Sequence, residues 1–200
     1  MALKNSFLDD NTLECGCDEA GRGCLAGPLF VAAVILPKNY VNEEINDSKQ
    51  LSRKKRDLLR IAIERDALAY SVVAVSESQI DKINILNATF WGMNEAVRQL
   101  KMKPGLLLID GNRFNNQTDI PYQCIVKGDA TYLAIAAASI LAKTYRDDYM
   151  EKIDSEYPLY DWKKNKGYPT PEHQNAVLKW GKTKYHRKSF SLKNQLRLDF

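Results

Sequence analysis

The stretch CGCDEAGRGCLAGPL covers residues 15–29. It sets two acids, Asp18 and Glu19, side by side and runs straight into Gly21-Arg22-Gly23. Adjacent like charges repel, and glycines cost backbone entropy on folding. A purely structural loop has little use for that combination, whereas a site that binds cations beside a phosphate backbone uses all of it. On one side, residues 13–18, LECGCD, read as a short strand. On the other, residues 28–36, PLFVAAVIL, form a continuous apolar run rich in β-branched residues, which reads as a buried strand. Successive strand residues point to opposite faces of a sheet. Asp18 and Glu19 therefore share one pocket only if the strand ends between them, and Gly16 and Gly21 favour such a turn. The expectation is Asp18 at the strand's carboxyl end and Glu19 just beyond it.

Further along, Ser52 suits the cap of a helix reaching about Ala67, with Leu58, Leu59, Ala62 and Ile63 at helical spacing. Residues 70–76 read as a strand, and a helix is expected over about Asn87 to Lys101. Pro104-Gly105 interrupts the chain before the apolar strand 106–110, LLLID, and 121–127 reads as another strand. A long helix rich in small residues is expected from about Ala130 to Ser155, and a short one from Pro171 to about Trp180, with proline at the first helical position. This order predicts an α/β domain around a mixed sheet with a helical C-terminal addition. The first three strands suit an antiparallel set, and the strand at 106–110, which follows a helix, suits a parallel crossover.

Two further acids stand at the ends of expected strands. Asp110 closes LLLID, where open α/β sheets place their ligand sites, although Asp-Gly is also a common turn dipeptide. Asp129 lies between a strand and the long helix, where it also suits a helix cap. Gathered together, Asp18, Glu19, Asp110 and Asp129 would raise one another's pKa unless cations neutralise them. A carboxylate set without thiolates suits Mg²⁺ or Mn²⁺. Two such ions can hold the attacking water and the leaving oxygen of a phosphodiester, chemistry that needs no histidine base. Arg22, between small neighbours, then suits a phosphate contact. The spacing to any Lys-Ser/Thr pair is wrong for a phosphate-binding P-loop.

Bulk properties agree. Net charge is +4, but residues 161–200 hold ten Lys/Arg against three Asp/Glu, while the first 160 hold nineteen against twenty-two. A basic tail on a slightly acidic body suggests a polyanionic partner. No run reaches the ~18 apolar residues of a membrane span, and the first residues, MALKNSFLDD, have no apolar leader core, so a cytoplasmic protein without membrane contact is expected. The four cysteines, Cys15, Cys17, Cys24 and Cys124, fit zinc spacing poorly and read as buried small hydrophobes.

At this point the motifs resemble a family. GCDEAGRGCLAGPL (16–29) is similar to the opening motif of ribonuclease HII, and NDSKQLS (46–52), LIDGN (108–112), VKGDA (126–130), ASILAKTYRD (138–147), GYPTPEH (167–173) and HRKSF (186–190) follow in the family's order. The resemblance, of bacterial type, covers nearly the whole chain. It implies a ribonuclease-H-like mixed five-stranded sheet flanked by helices, with a catalytic domain over 1–157 and a basic, mainly helical extension over 158–200 packed on it. It implies a monomeric endonuclease for the RNA strand of RNA–DNA hybrids and for single ribonucleotides in duplex DNA, leaving 3′-hydroxyl and 5′-phosphate ends with Mg²⁺ or Mn²⁺. It assigns the metal-binding and catalytic acids to Asp18, Glu19, Asp110 and Asp129, reading of the 2′-hydroxyl to Gly21, Arg22 and Gly23, and junction sensing to Tyr168. Ser139, Lys143 and Arg146 fall at i, i+4 and i+7 and suit contacts to the backbone near the cut, as does Lys49. Gln50 replaces a common second lysine and Cys24 a common proline; the latter is expected to loosen the loop carrying Arg22.

Two other readings compete. A ribonuclease HIII, the type 3 relative, usually lacks the arginine between the glycines. A non-catalytic hybrid-binding module would explain the basic tail but leave the acids facing a phosphate backbone unexplained.

Overall fold

A computed structural model describes residues 3–46, 48 and 51–192. Five strands, β1 (Glu14–Ala20), β2 (Leu29–Ile35), β3 (Ala69–Val75), β4 (Leu106–Asp110) and β5 (Tyr122–Ile125), form one sheet in the order β3-β2-β1-β4-β5. β1 pairs antiparallel with β2, and β2 with β3, whereas β4 and β5 join in parallel. The mixed sheet is thus the expected one. The helices are α1 (Arg53–Asp66), α2 (Glu77–Arg98), α3 (Leu133–Asp154), α4 (Trp162–Asn165) and α5 (Pro171–Trp180).

The apolar run of β2 is continuous because both its faces are covered. Leu29, Val31, Ala33 and Ile35 join Cys15, Cys17, Leu107, Ile109 and α2 residues such as Ala88, Met93 and Ala96 in one core. Ala32 and Val34 join Leu59 and Ile63 of α1 and the alanine-rich start of α3 in the other. The small residues of α3 let it lie close against the sheet. At Gly16 the approach is so tight that a Cβ would collide with the backbone of Ala134. A third cluster joins Leu25, Ala26, Met150 and Ile153 to Tyr160, Trp162, Val177 and Leu192.

Three expectations change. β1 does not end at Asp18 but pairs with β2 through Ala20, opposite Phe30. The second helix begins at Glu77, ten residues before the expected start. Ser76 caps it by accepting from the N–H of Gln79, and Ser76-x-x-Gln79 is a recognised helix-start pattern. Asn84, with φ of 65°, interrupts that helix and accepts from the N–H of Asn87, so the expected helix is its second segment. Finally, α3 starts three residues late, after a 3₁₀ turn over Gly128–Ala130. Among the described residues no helix is long and apolar enough to cross a membrane. Cys15, Cys17 and Cys24 are buried and, with Cys124, form no disulfide.

Candidate active site

The site lies where the parallel joint of β1 and β4 ends. Cys17 stands level with Ile109 in that ladder, and both face the α2 core. The next residues, Asp18 and Asp110, therefore emerge side by side on the α3 face. Asp18 is buried at 4 % exposure. Burial pushes its carboxyl well above the usual range, and the charges of Glu19 and Asp110 push it further. The Ser139 hydroxyl and the Glu19 N–H, 2.6 Å from Oδ1, oppose that shift by bonding the charged form. The Asp110 Oδ1 accepts from the N–H of Gly128 at 2.7 Å.

Because β1 stays regular, Glu19 leaves toward the opposite face from Asp18, yet the strand end is narrow enough for both to meet open space. A cleft of about 220 Å³ is lined by Asp18, Glu19, Gly21, Arg22, Gly23, Asp110, Ser139, Lys143 and Tyr168. A second, of about 270 Å³ on the α2 side, shares Glu19, Arg22 and Asp110 and adds Asn112 and Arg113. One groove thus wraps around the end of the sheet, with Glu19 and Asp110 on its crest. Arg22 is half exposed and pairs with Glu19 at 3.3 Å.

On α3, Ser139 Oγ lies 3.0 Å from Ser48 Oγ. Lys143 Nζ donates to Asp147 at 2.6 Å, and Asp147 also faces Arg56 at 3.6 Å. Burial pushes the Lys143 ammonium down and Asp147 holds it up. Tyr168 lies with its ring 6.0 Å from Lys143 Nζ and closes the cleft.

Two expected residues are not in the lining of the cleft, and a third is not among those described. Asp129 is buried in the 3₁₀ turn behind Asp110 and does not line the cleft. Arg146 is fully buried and does not present its charge to the groove. Its guanidinium donates to the carbonyls of Pro28, Lys166 and Ala26 at 3.0, 2.8 and 3.1 Å, because the helix turns this residue toward the 21–28 loop. Lys49 lies outside the described residues.

Sequence reasoning missed several residues around the groove, although two of their motifs were visible. Arg187, in HRKSF, is fully buried and donates to the carbonyls of Gly21, Arg22 and Gly27. The loop carrying Arg22 is therefore held tightly despite Cys24. His173 and His186 form a buried chain with Trp162. Trp162 Nε1 donates to His173 Nε2 at 3.0 Å, and Thr183 N–H donates to His186 Nδ1 at 2.9 Å. Those donors leave one neutral arrangement: His186 Nε2–H donates to His173 Nε2 at 3.2 Å, and His173 Nδ1–H to the carbonyl of Tyr168 at 2.9 Å. Burial pushes both rings down, His186 to about 3.

Chemically, the groove offers an all-oxygen donor set around a desolvated carboxylate. Among the described residues no three acids, histidines or cysteines converge into a ready-made metal cage. An all-oxygen set of this kind suits a hard cation such as Mg²⁺, which takes further ligands from water and phosphate.

A family model described as Ribonuclease HII matches residues 15–193. The Ribonuclease HII of Bacteroides thetaiotaomicron is 58% identical over 196 residues, which cover 97% of this chain and 98% of that protein. The ribonuclease H2 of Pyrococcus horikoshii OT3 has the same fold, with TM-score 0.77 at 24% identity over 92% of this chain and 96% of that one. The ribonuclease HII of Archaeoglobus fulgidus, solved in complex with PCNA, gives TM-score 0.76 at 25% identity over 94% and 100%. With its motifs in the family's order and its acids at the end of the β1–β4 joint, the chain belongs to the ribonuclease HII family and is a ribonuclease H, an enzyme that hydrolyses the RNA strand of RNA–DNA hybrids.

Proposed function

We propose that this ribonuclease also cuts duplex DNA on the 5′ side of a single embedded ribonucleotide, leaving 3′-hydroxyl and 5′-phosphate ends. One observation carries the chemistry: Asp18, buried and pushed up by Glu19 and Asp110, opens onto a groove. Such a site is relieved by a cation from solution. Asp18, Glu19 and Asp110 are the residues that would hold Mg²⁺ or Mn²⁺, with Asp129 supporting Asp110 from the adjoining turn. A bound divalent cation supplies Lewis acidity at the phosphodiester and lowers the pKa of an attacking water.

The chain's own residues do the rest. Ser139, steadied by Ser48, orients the Asp18 carboxylate. Lys143, kept charged by Asp147, faces the phosphate backbone, and Lys49 adds a second contact. Arg22 exchanges Glu19 for a phosphate when substrate enters. The Gly21-Arg22-Gly23 backbone meets the ribose, whose 2′-hydroxyl distinguishes RNA from DNA. Tyr168 stacks on the neighbouring sugar, held in place through its carbonyl by His173. Arg146 supports the loop rather than touching substrate.

The test is cleavage of a DNA duplex carrying one ribonucleotide, with Mg²⁺, with Mn²⁺ and with chelator. A metal-dependent cut on the 5′ side of the ribonucleotide is expected. Cleavage confined to longer RNA tracts would move the chain's specificity toward that of a type 3 relative.

A further inference from the structure

The loop that carries Arg22 is built around a buried cation that, among the described residues, has no carboxylate in hydrogen-bond contact. Arg187 NH1 donates to the Arg22 carbonyl at 2.8 Å and NH2 to that of Gly21 at 2.7 Å, while Nε and NH2 both reach the Gly27 carbonyl at 3.1 and 2.9 Å. Phe190 stacks on the guanidinium at 5.0 Å. The segment is itself anchored: Arg187 N–H donates to the Leu25 carbonyl, and the Asp81 carboxylate accepts the N–H groups of Lys188 and Ser189. Burying a guanidinium is costly unless its donors are satisfied. A chain that keeps one here gains something specific from its planar fork.

Peptide planarity says what that is. In a trans peptide the C=O and the following N–H point in opposite directions. No peptide bond in the described residues is cis. Because the carbonyls of Gly21 and Arg22 turn inward to Arg187, the N–H groups of Arg22 and Gly23 turn outward. Among the described residues neither N–H donates to another group of the protein. Both residues are exposed, and both line the cleft beside Asp18. Gly21, at φ of 99°, lies so close to Arg146 that a Cβ there would strike its guanidinium, so this turn takes only glycine.

We propose that Arg187 is a positioning residue that aims the Arg22 and Gly23 N–H groups at the ribose 2′-hydroxyl, so that selection of ribonucleotides is set from behind the loop. This rests on the reading above that the loop meets the ribose. Lysine keeps the charge but cannot span three carbonyls with a planar fork. The test compares binding of two duplexes, one with a single ribonucleotide and one all-DNA, in Asp110→Asn protein that does not consume the substrate, with and without Arg187→Lys. Arg187→Lys should cut the ribonucleotide-to-DNA affinity ratio by about tenfold, the scale of one well-placed hydrogen bond. Affinity for the all-DNA duplex should stay within about twofold of its starting value on the same scale.

A ratio retained in Arg187→Lys overturns the role of Arg187 and leaves the ribose reading intact. A ratio near one before the arginine is changed overturns the ribose reading, and with it the proposal. Equal loss on both duplexes marks a structural role and also overturns it. Should Arg187→Lys not fold, amide NMR of the Asp110→Asn protein decides. The Arg22 and Gly23 N–H signals should shift with the ribonucleotide duplex and not with the all-DNA one, and their silence overturns the proposal.

Discussion

The two ends of the β1–β4 joint each bury an acid, and they treat it in opposite ways. At the start of β1, Glu14 accepts the N–H groups of Phe7 and Leu8, both at 2.8 Å, and pairs with Lys38 at 3.1 Å. Its charge is satisfied inside the protein. At the far end, Asp18 has a hydroxyl and one N–H for company and two other carboxylates as neighbours. Burial is the same, 8 % against 4 % exposure, so burial is not what separates a structural acid from a working one. The difference lies in what the protein leaves for a partner from solution to supply.

The comparison can be broken in four ways. The largest effect is expected at the open end. Asp110→Asn should lower turnover by about 10³-fold, the several kcal/mol that a bound cation contributes to the transition state. Stability and hybrid binding should hold or rise, since a like charge beside Asp18 is removed. Steady-state kinetics beside a urea melt would check this, and near-normal turnover would end the site assignment. Glu14→Ala should do the reverse, costing about 2–3 kcal/mol by stranding buried donors while leaving the folded fraction's turnover unchanged. The same pair of measurements reads it.

A smaller effect concerns the histidine pair that holds Tyr168. Both rings are pushed down in the folded protein, whereas an unfolded histidine titrates near 6.5. The unfolded state therefore takes up protons first. The stability contributed is complete above about pH 6.5 and is lost as pH falls toward the folded value of about 3 for His186, at no more than ~1.4 kcal/mol per pH unit for that ring. Melting temperatures from pH 7 to 4 should fall, and less steeply in His186→Asn. An unchanged slope would mean that other groups govern acid lability. The smallest effect is expected for Arg22→Ala. Its exposed pair with Glu19 is worth under ~1 kcal/mol of stability, but losing one phosphate contact should reduce the slope of log K against log salt by about one. A salt titration of hybrid binding measures it.

Much of this was legible in the sequence for identifiable reasons. The uninterrupted β2 run announced a strand covered on both faces, and an acid closing LLLID announced a site at a strand end. The extent of β1 was not legible, because a local rule about alternating faces cannot see that the sheet end is narrow enough for Asp18 and Glu19 to open onto the same groove. Ser76-x-x-Gln79 is the local signal for the helix start at Glu77. Arg146 and Lys143 looked alike on helical spacing. Only the loop folded against Arg146, with its inward carbonyls, separates a buried clamp from a residue beside the groove. Arg187 depends on carbonyls 160 to 166 positions away, which no local pattern reveals, whereas the histidine chain joins residues no more than 13 positions apart.

The contact between Arg187 and Gly21 spans 166 positions. Chains grow at about 5–20 residues per second. At those rates roughly 8–33 s separate the synthesis of the glycine loop from that of the arginine that sets it. β1 precedes the loop and the other four strands are made within that interval, so a nascent chain can assemble its sheet and bring its acids together well before the loop takes its final shape. On the proposal above, selection of the ribonucleotide is then the last property the molecule acquires, and a chain cut short after Trp180 would keep the acids of the groove yet lack the arginine that sets the loop.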